Sequence, residues 1–219
     1  MHPRTVQTRR GAAAALVLYL IGGTLFAADV LMTLGAHWTS AGFGLVVLAA
    51  QALGGAALAI VAGAAVRPAA SRAGDPPLGR DLGNLLLMWT MLWAYLTFMQ
   101  FLVIWAENLP REIVWLVPRI EGPWRWGGLA LAALAFALPF GLLLSRARKD
   151  DPRRLRKVAA IVLAGTALDA AWTVLPSVVP SSGRAPVAMI CIATGLALVL
   201  YGDLMFAAAN GEEPLHAAR

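Results

Sequence analysis

Apolar residues in this chain fall in long, nearly uninterrupted runs separated by short polar segments. The runs cover residues 12–34, 43–66, 82–106, 126–144, 158–175 and 187–206. Each is close to the ~20 residues that an α-helix needs to cross a hydrocarbon core of ~30 Å. Lipid offers no partner to backbone N–H and C=O groups, so a run lying in a bilayer has to be helical. The pattern therefore predicts an all-α, polytopic membrane protein. Six transmembrane helices form a bundle over residues 12–207, flanked by tails 1–11 and 208–219. Arg9 and Arg10 precede the first run, as in a signal peptide. That run exceeds the ~7–15 apolar residues of a signal-peptide core and a second follows closely, so it is expected to be a retained helix. Gly55, Ala59 and Gly63 recur every fourth residue. This spacing reads either as a small-residue packing face or as glycine- and alanine-rich filler.

Charge sets the expected orientation. Of the 18 lysines and arginines, all but Arg111, Arg119, Arg125 and Arg184 fall on the side that also holds both termini. The basic loop 145–157 dominates that side. Positively charged loops stay in the cytoplasm, so both termini are expected there and loop 107–125 is expected to be periplasmic. The formal net charge of +6 is then an orientation signal, and nucleic acid is not an expected partner. The run from Arg146 to Lys157 serves as an inside anchor, with anionic lipid headgroups as its other conceivable contact. With 14% charged and 59% hydrophobic residues, against about a quarter charged in soluble domains, the composition excludes a soluble enzyme.

In the expected periplasmic loop, Trp115, Trp124 and Trp126, with Trp105 just before them, form an interfacial tryptophan belt. Asn108, Pro110, Pro118 and Pro123 break this loop into turns or one short interfacial helix. The single cysteine, Cys191, excludes a disulfide within the chain, and His2, His37 and His216 offer no facing pair of haem ligands inside the spans. No metal site is expected, and no haem or iron–sulfur centre held by this chain.

Ionisable groups inside spans are costly and are functional candidates by default. At ~1.5 Å of rise per residue, Asp169, Asp29 and Gln51 lie roughly 9, 7 and 12 Å from the outer ends of their helices. Thr90, Trp93, Thr97, Gln100, Ile104 and Glu107 follow a 3–4 spacing that places one mostly polar stripe on a single face of the third helix. His37 stands just after the first span. Asp29, His37, Gln51, Gln100, Glu107 and Asp169 thus gather in the outer half of the bundle. The group reads as a candidate proton or quinol cluster, or as a hydrogen-bonded network joining helices. In the second case Asp169 would be capped by a Trp or Thr.

Four stretches resemble a known family. Residues 26–44, FAADVLMTLGAHWTSAGFG, are similar to an FDWLMSLEPHWYSTIFG-type segment. Within residues 82–119, WTMLWAYLTFMQFLVIWAENLPREIVWLVPR resembles a pattern FxWAYxxFSQFLxIWYxNIPEExxWYxxR. Residues 139–148, PFGLLLSRAR, resemble PFxxLLSRxxKR, and residues 168–176, LDAAWTVLP, resemble LDLYWLVxP. These patterns belong to the ActF-type membrane subunit of alternative complex III. That subunit is quinone-binding subunit 2 of quinol:cytochrome c oxidoreductase, in the NrfD-like superfamily. The resemblance covers only the C-terminal six-helix half of such subunits, without the four-helix bundle that precedes it in them. Matching positions are Asp29, His37, Trp38, Trp93, Tyr95, Gln100, Asn108, Pro110, Trp115, Asp169 and Trp172. Departures are Met99 for Ser, Ala106 for Tyr, Arg111 for the first Glu (Glu112 keeps the second) and Ala171 for an aromatic residue.

The resemblance implies an integral subunit of a bacterial respiratory electron-transfer complex in the inner membrane. The host would be an alternative complex III or a haem–copper oxidase assembly. Partners would be other membrane subunits and phospholipid, with haem and iron–sulfur held by those subunits. Loss of polar and aromatic groups within a retained frame implies a scaffold that is not catalytic alone, with a share in an outward proton path as a further expectation. A second reading is a quinol-binding subunit, with quinone beside Asp29, His37, Gln100 and Asp169, where a carboxylate or imidazole takes the quinol proton. A third is a small transporter or assembly factor, against which the absence of an inverted repeat counts. The topology is testable in a Cys191→Ser background with single cysteines and a membrane-impermeant thiol reagent. Position 118 should label from outside intact cells and position 150 only after permeabilisation; the reverse pattern would overturn the orientation.

Overall fold

The computed structural model describes residues 3–35, 38–63, 78–121 and 124–178. The expected sixth span, 187–206, and the tail 208–219 lie outside them. The described elements are all helical. Five stretches are long and apolar enough to cross a membrane: Gly11–Leu34, Phe43–Val61, Gly79–Glu107, Trp124–Leu143 and Pro152–Val178.

Local chemistry explains where each helix starts and stops. Helix α1 (Pro3–Phe26) continues through a π-helical turn, Ala27–Leu31, and a 3-10 turn, Met32–Leu34. It starts well before residue 12, because proline suits the first helical position and nothing between it and the apolar run breaks a helix. Helix α2 (Phe43–Val61) is shorter than the expected 43–66. The Ala62 N–H donates to Leu58 O at 2.8 Å, and Gly63 then turns left-handed at φ +71°, the common glycine stop.

Helix α3 (Leu78–Glu107) ends at Asn108, whose φ of +49° is a left-handed conformation that asparagine tolerates. Leu109 is extended, as a residue before proline prefers, and Pro110 opens the short helix α4 (Pro110–Ile120). Of the two expected forms of this loop, the structure has the brief helix. The fourth span is composite: α5 (Trp124–Leu131), a π-helical turn Ala132–Ala137, and α6 (Leu138–Leu143). Pro139 has no N–H and would crowd the carbonyl of Ala135, and the widened turn accommodates it.

Short α7 (Arg146–Asp150) precedes the longer α8 (Pro152–Val178). Asp151 caps α8, its Oδ1 accepting from the N–H groups of Arg153 at 2.9 Å and Arg154 at 3.4 Å. This cap starts α8 inside the basic segment, ahead of residue 158, where the apolar run begins.

α8 is the central helix and packs most extensively on α2 and on the π-helical turn. Its Leu155, Val158, Ala159 and Val162 share a core with Leu53, Ala57 and Ile60 of α2 and Leu86 and Trp93 of α3. The glycines that permit this lie elsewhere than expected. A Cβ on Gly165 would sit 2.8 Å from Ala135 Cα, and one on Gly54 would sit 3.2 Å from Thr166 Oγ1. Gly55 and Gly63 have nothing within 4 Å, and Ala59 is exposed. Among the described residues, then, the Gly55–Ala59–Gly63 row is not a packing face. The reason is rotational: the row lies beside the stripe of Leu53, Ala57 and Ile60 that faces α8.

At the opposite end of the bundle from α4, α7 is clamped to the start of α3. Arg80 and Asp150 form a two-bond ion pair at 2.9 and 2.8 Å. The Arg80 hydrogen bond holds the Asp150 carboxyl below the usual carboxylate range. Lys149 is buried across Gly83, where a Cβ would come within 2.7 Å of its Cγ, and its Nζ donates to Asn84 Oδ1 at 2.8 Å. The basic loop is therefore ordered against the bundle, beyond any role as an anchor.

These distances separate two glycines that look alike in sequence. Gly165→Ala should destabilise the bundle by about 1–3 kcal/mol, as overpacking does, while Gly55→Ala should leave stability unchanged or slightly raised. Thermal unfolding of both variants in one detergent checks this; equal effects would refute the close approach at Ala135.

Candidate functional site

At the α4 end of the bundle, aromatic residues from four segments stack around one arginine. Trp38, in the loop ahead of α2, lies parallel to Trp115 of α4, with ring centroids 4.9 Å apart. Phe43 meets Trp38 edge-on at 5.0 Å. Trp115 meets Trp172 of α8 edge-on at 6.0 Å. The Arg119 guanidinium lies 3.9 Å from the Trp115 ring centroid and 5.8 Å from that of Trp172. The stack exists because Trp115 and Arg119 sit four residues apart, one turn along the same face of α4.

Arg119 is fully buried, only 1% exposed. It donates to the carbonyls of Trp115 and Thr173 and, at 3.0 Å, to Ser177 Oγ. Thr173 and Ser177 lie near the C-terminal end of α8, where the helix dipole favours a cation. No carboxylate among the described residues pairs with it. Burial lowers its pKa to about 9, so the charge persists at neutral pH. Its Nε–H has no acceptor among the described residues. Arg119 was not among the polar candidates read from sequence. The available signal was its place one turn after Trp115, in a loop holding few cations.

Among the described residues, the candidate polar groups have separate surroundings. Asp169 is buried in α8 and accepts a hydrogen bond from Trp93 Nε1 of α3 at 3.3 Å, a cap by tryptophan. Gln100 accepts from Ser40 Oγ at 2.9 Å, tying α3 to the loop ahead of α2. Gln51 accepts from Tyr19 at 2.7 Å and joins α1 to α2. Asp29, in the π-helical turn after α1, and Glu107, at the end of α3, are exposed, and His37 lies outside the described residues. The stripe on α3 does face inward through Thr90, Trp93 and Ile104, which are buried, and through half-buried Thr97 and Gln100.

Among the other motif positions, Asn108 and Pro110 shape the α3–α4 turn, and Tyr95 is exposed. The tryptophan belt divides. Trp115 and Trp124 turn inward, with Trp124 O accepting from Trp172 Nε1 at 3.3 Å, whereas Trp105 and Trp126 are exposed. Neither a protein-family model nor a curated protein matches the chain.

The Trp93–Asp169 bond carries a sharp expectation. Trp93→Phe should cost about 1–3 kcal/mol, because it leaves a buried carboxyl without its donor. Asp169→Leu should cost less in that background than in the parent. A double-mutant cycle on detergent-phase unfolding measures the coupling, and strictly additive effects would show that the bond contributes nothing.

Proposed function

We propose that the chain is a multi-pass scaffold subunit of a bacterial respiratory electron-transfer complex in the inner membrane. Both termini would be cytoplasmic and the α4 end periplasmic. The observation that carries this reading is the convergence at that end. Trp38, Trp115, Arg119 and Trp172 come from three separate motif-like stretches, and they assemble into one contiguous stack. Residues that recur in a pattern because they pack on one another are expected to be found in contact.

The role is structural because the stack joins α4, α8 and the loop ahead of α2 while presenting no nucleophile or acid–base pair. Redox cofactors would belong to partner subunits. Separate hydrogen bonds of Gln100 and Asp169, with Asp29 exposed, favour this reading over a quinol site built from those residues. Purification of the tagged chain from its native membrane in mild detergent tests the assignment. Haem-bearing subunits should co-purify in fixed ratio, visible as a Soret band that is lost when the complex is dissociated. Recovery of the chain free of any cofactor-bearing partner would overturn it.

A further inference from the structure

A groove of about 1120 Å³ lies between α3, α4 and the fourth span, with Trp172 of α8 at its back. It is at the upper limit of small-molecule pockets, which run ~300–1,000 Å³, and it is long and apolar. Phe98 and Phe101 of α3 and Leu129 and Phe136 of the fourth span line it. Tyr95, Phe98, Trp126 and Leu129 on its rim are all exposed, so the groove opens sideways from the bundle. In a spanning protein that direction is the hydrocarbon of the bilayer.

The lining is not uniformly apolar. Arg119 and Arg125 both stand at the α4 end. Neither makes an ion pair among the described residues. Arg119 and Thr97 are among the lining residues, and the buried Nε of Arg119 and Oγ1 of Thr97 have no hydrogen-bond partner among the described residues. Arg119 spends Nη1 on Trp115 O and Nη2 on Thr173 O and Ser177 Oγ. A guanidinium has five N–H groups, so its free Nε–H and one Nη1 N–H remain for a ligand. A buried, unpaired cation is costly, and the ligand that offsets the cost is an anion with strong acceptor oxygens. The same ligand must also fill an apolar trough open to lipid.

We propose that this groove binds a membrane phospholipid. Its phosphodiester would lie on Arg119 and Arg125, and an acyl chain would lie against Phe98, Phe101 and Phe136. Arginine suits the headgroup because its fork of N–H donors matches phosphate oxygens. Aromatic and branched side chains along the trough match a fatty chain. The site depends on the bundle spanning a bilayer and is independent of any respiratory role, so either conclusion can fail alone.

Native mass spectrometry of the delipidated full chain in detergent provides the test. The probes are dioleoyl-phosphatidylglycerol, dioleoylglycerol, which lacks the phosphate, and a quinone with an isoprenoid tail. One phosphatidylglycerol per chain should be retained, with dioleoylglycerol bound at least tenfold more weakly. Arg125→Gln should weaken phosphatidylglycerol binding about tenfold, the loss of roughly one charge-assisted hydrogen bond. Arg119→Gln risks undocking α4, so the second variant is Ala132→Phe, which fills the groove from an exposed position and should abolish retention with Arg119 intact. Equal binding of dioleoylglycerol, unaltered binding by Ala132→Phe, or displacement of the phospholipid by equimolar quinone would overturn the proposal. A disulfide formed readily between Cys191 and a Leu129→Cys variant would also overturn it, because the groove would then hold the chain's own segment 187–206.

Discussion

Apolar side chains gain little by leaving lipid for a protein interior, so the cohesion of a bundle in a membrane depends on how closely its backbones approach. Here that constraint falls on α8. Gly165 brings α8 so near the fourth span that even a methyl group would collide with the Ala135 backbone. The same span is locally widened into a π-helical turn around Ala135, upstream of Pro139. A wide turn on one helix therefore faces a missing side chain on the other. The two features are complementary, and each would be a defect without its partner. α2 then closes on the neighbouring face of α8 through Gly54 and Thr166.

The ends of the bundle use different means. At the α7 end, the segment is held by charge at a partly solvated surface. Arg80 and Asp150 pair there, and Lys149 crosses the glycine face of α3. At the α4 end, the charge is enclosed. Arg119 has no carboxylate partner among the described residues, so its compensation comes from the Trp115 and Thr173 carbonyls and from the faces of two tryptophans. Cation–π contacts gain strength when desolvated, to about 2 kcal/mol or more. A lysine would not reproduce the arrangement, because stacking and several fixed donors both require the planar guanidinium.

Much of the architecture is legible in the sequence because it follows from one-dimensional rules. Run length predicts spans, and five of those expected overlap described helices long and apolar enough to cross a membrane. Asn108 before a Leu–Pro pair predicts the turn into α4, and Asp151–Pro152 is a helix start signal that explains why α8 begins early. Rotation about a helix axis was not legible. Gly54 and Gly55 are adjacent in sequence, yet one packs on Thr166 and the other meets open space. A fourfold spacing of small residues finds a face without saying which way it points. Partner choice among polar groups was equally hidden. Depth along the helices placed Asp29, Gln100 and Asp169 at similar levels, but depth carries no angular information, and Asp169 is buried, Gln100 half-buried and Asp29 exposed.

That divergence bears on mechanism. Among the described residues, three polar contacts are two-membered: Tyr19 with Gln51, Ser40 with Gln100, and Trp93 with Asp169. Each contact joins two elements distant in sequence, and each gives a polar atom in the bundle a fixed partner. Such pairing selects one register of helix against helix, a specificity that apolar surfaces sliding in lipid cannot supply. The donor to Asp169 is moreover an indole N–H, which does not accept a proton in turn. A relay through Trp93 would stop at that ring. Arg119 is the buried charged group whose environment calls for something beyond the described residues.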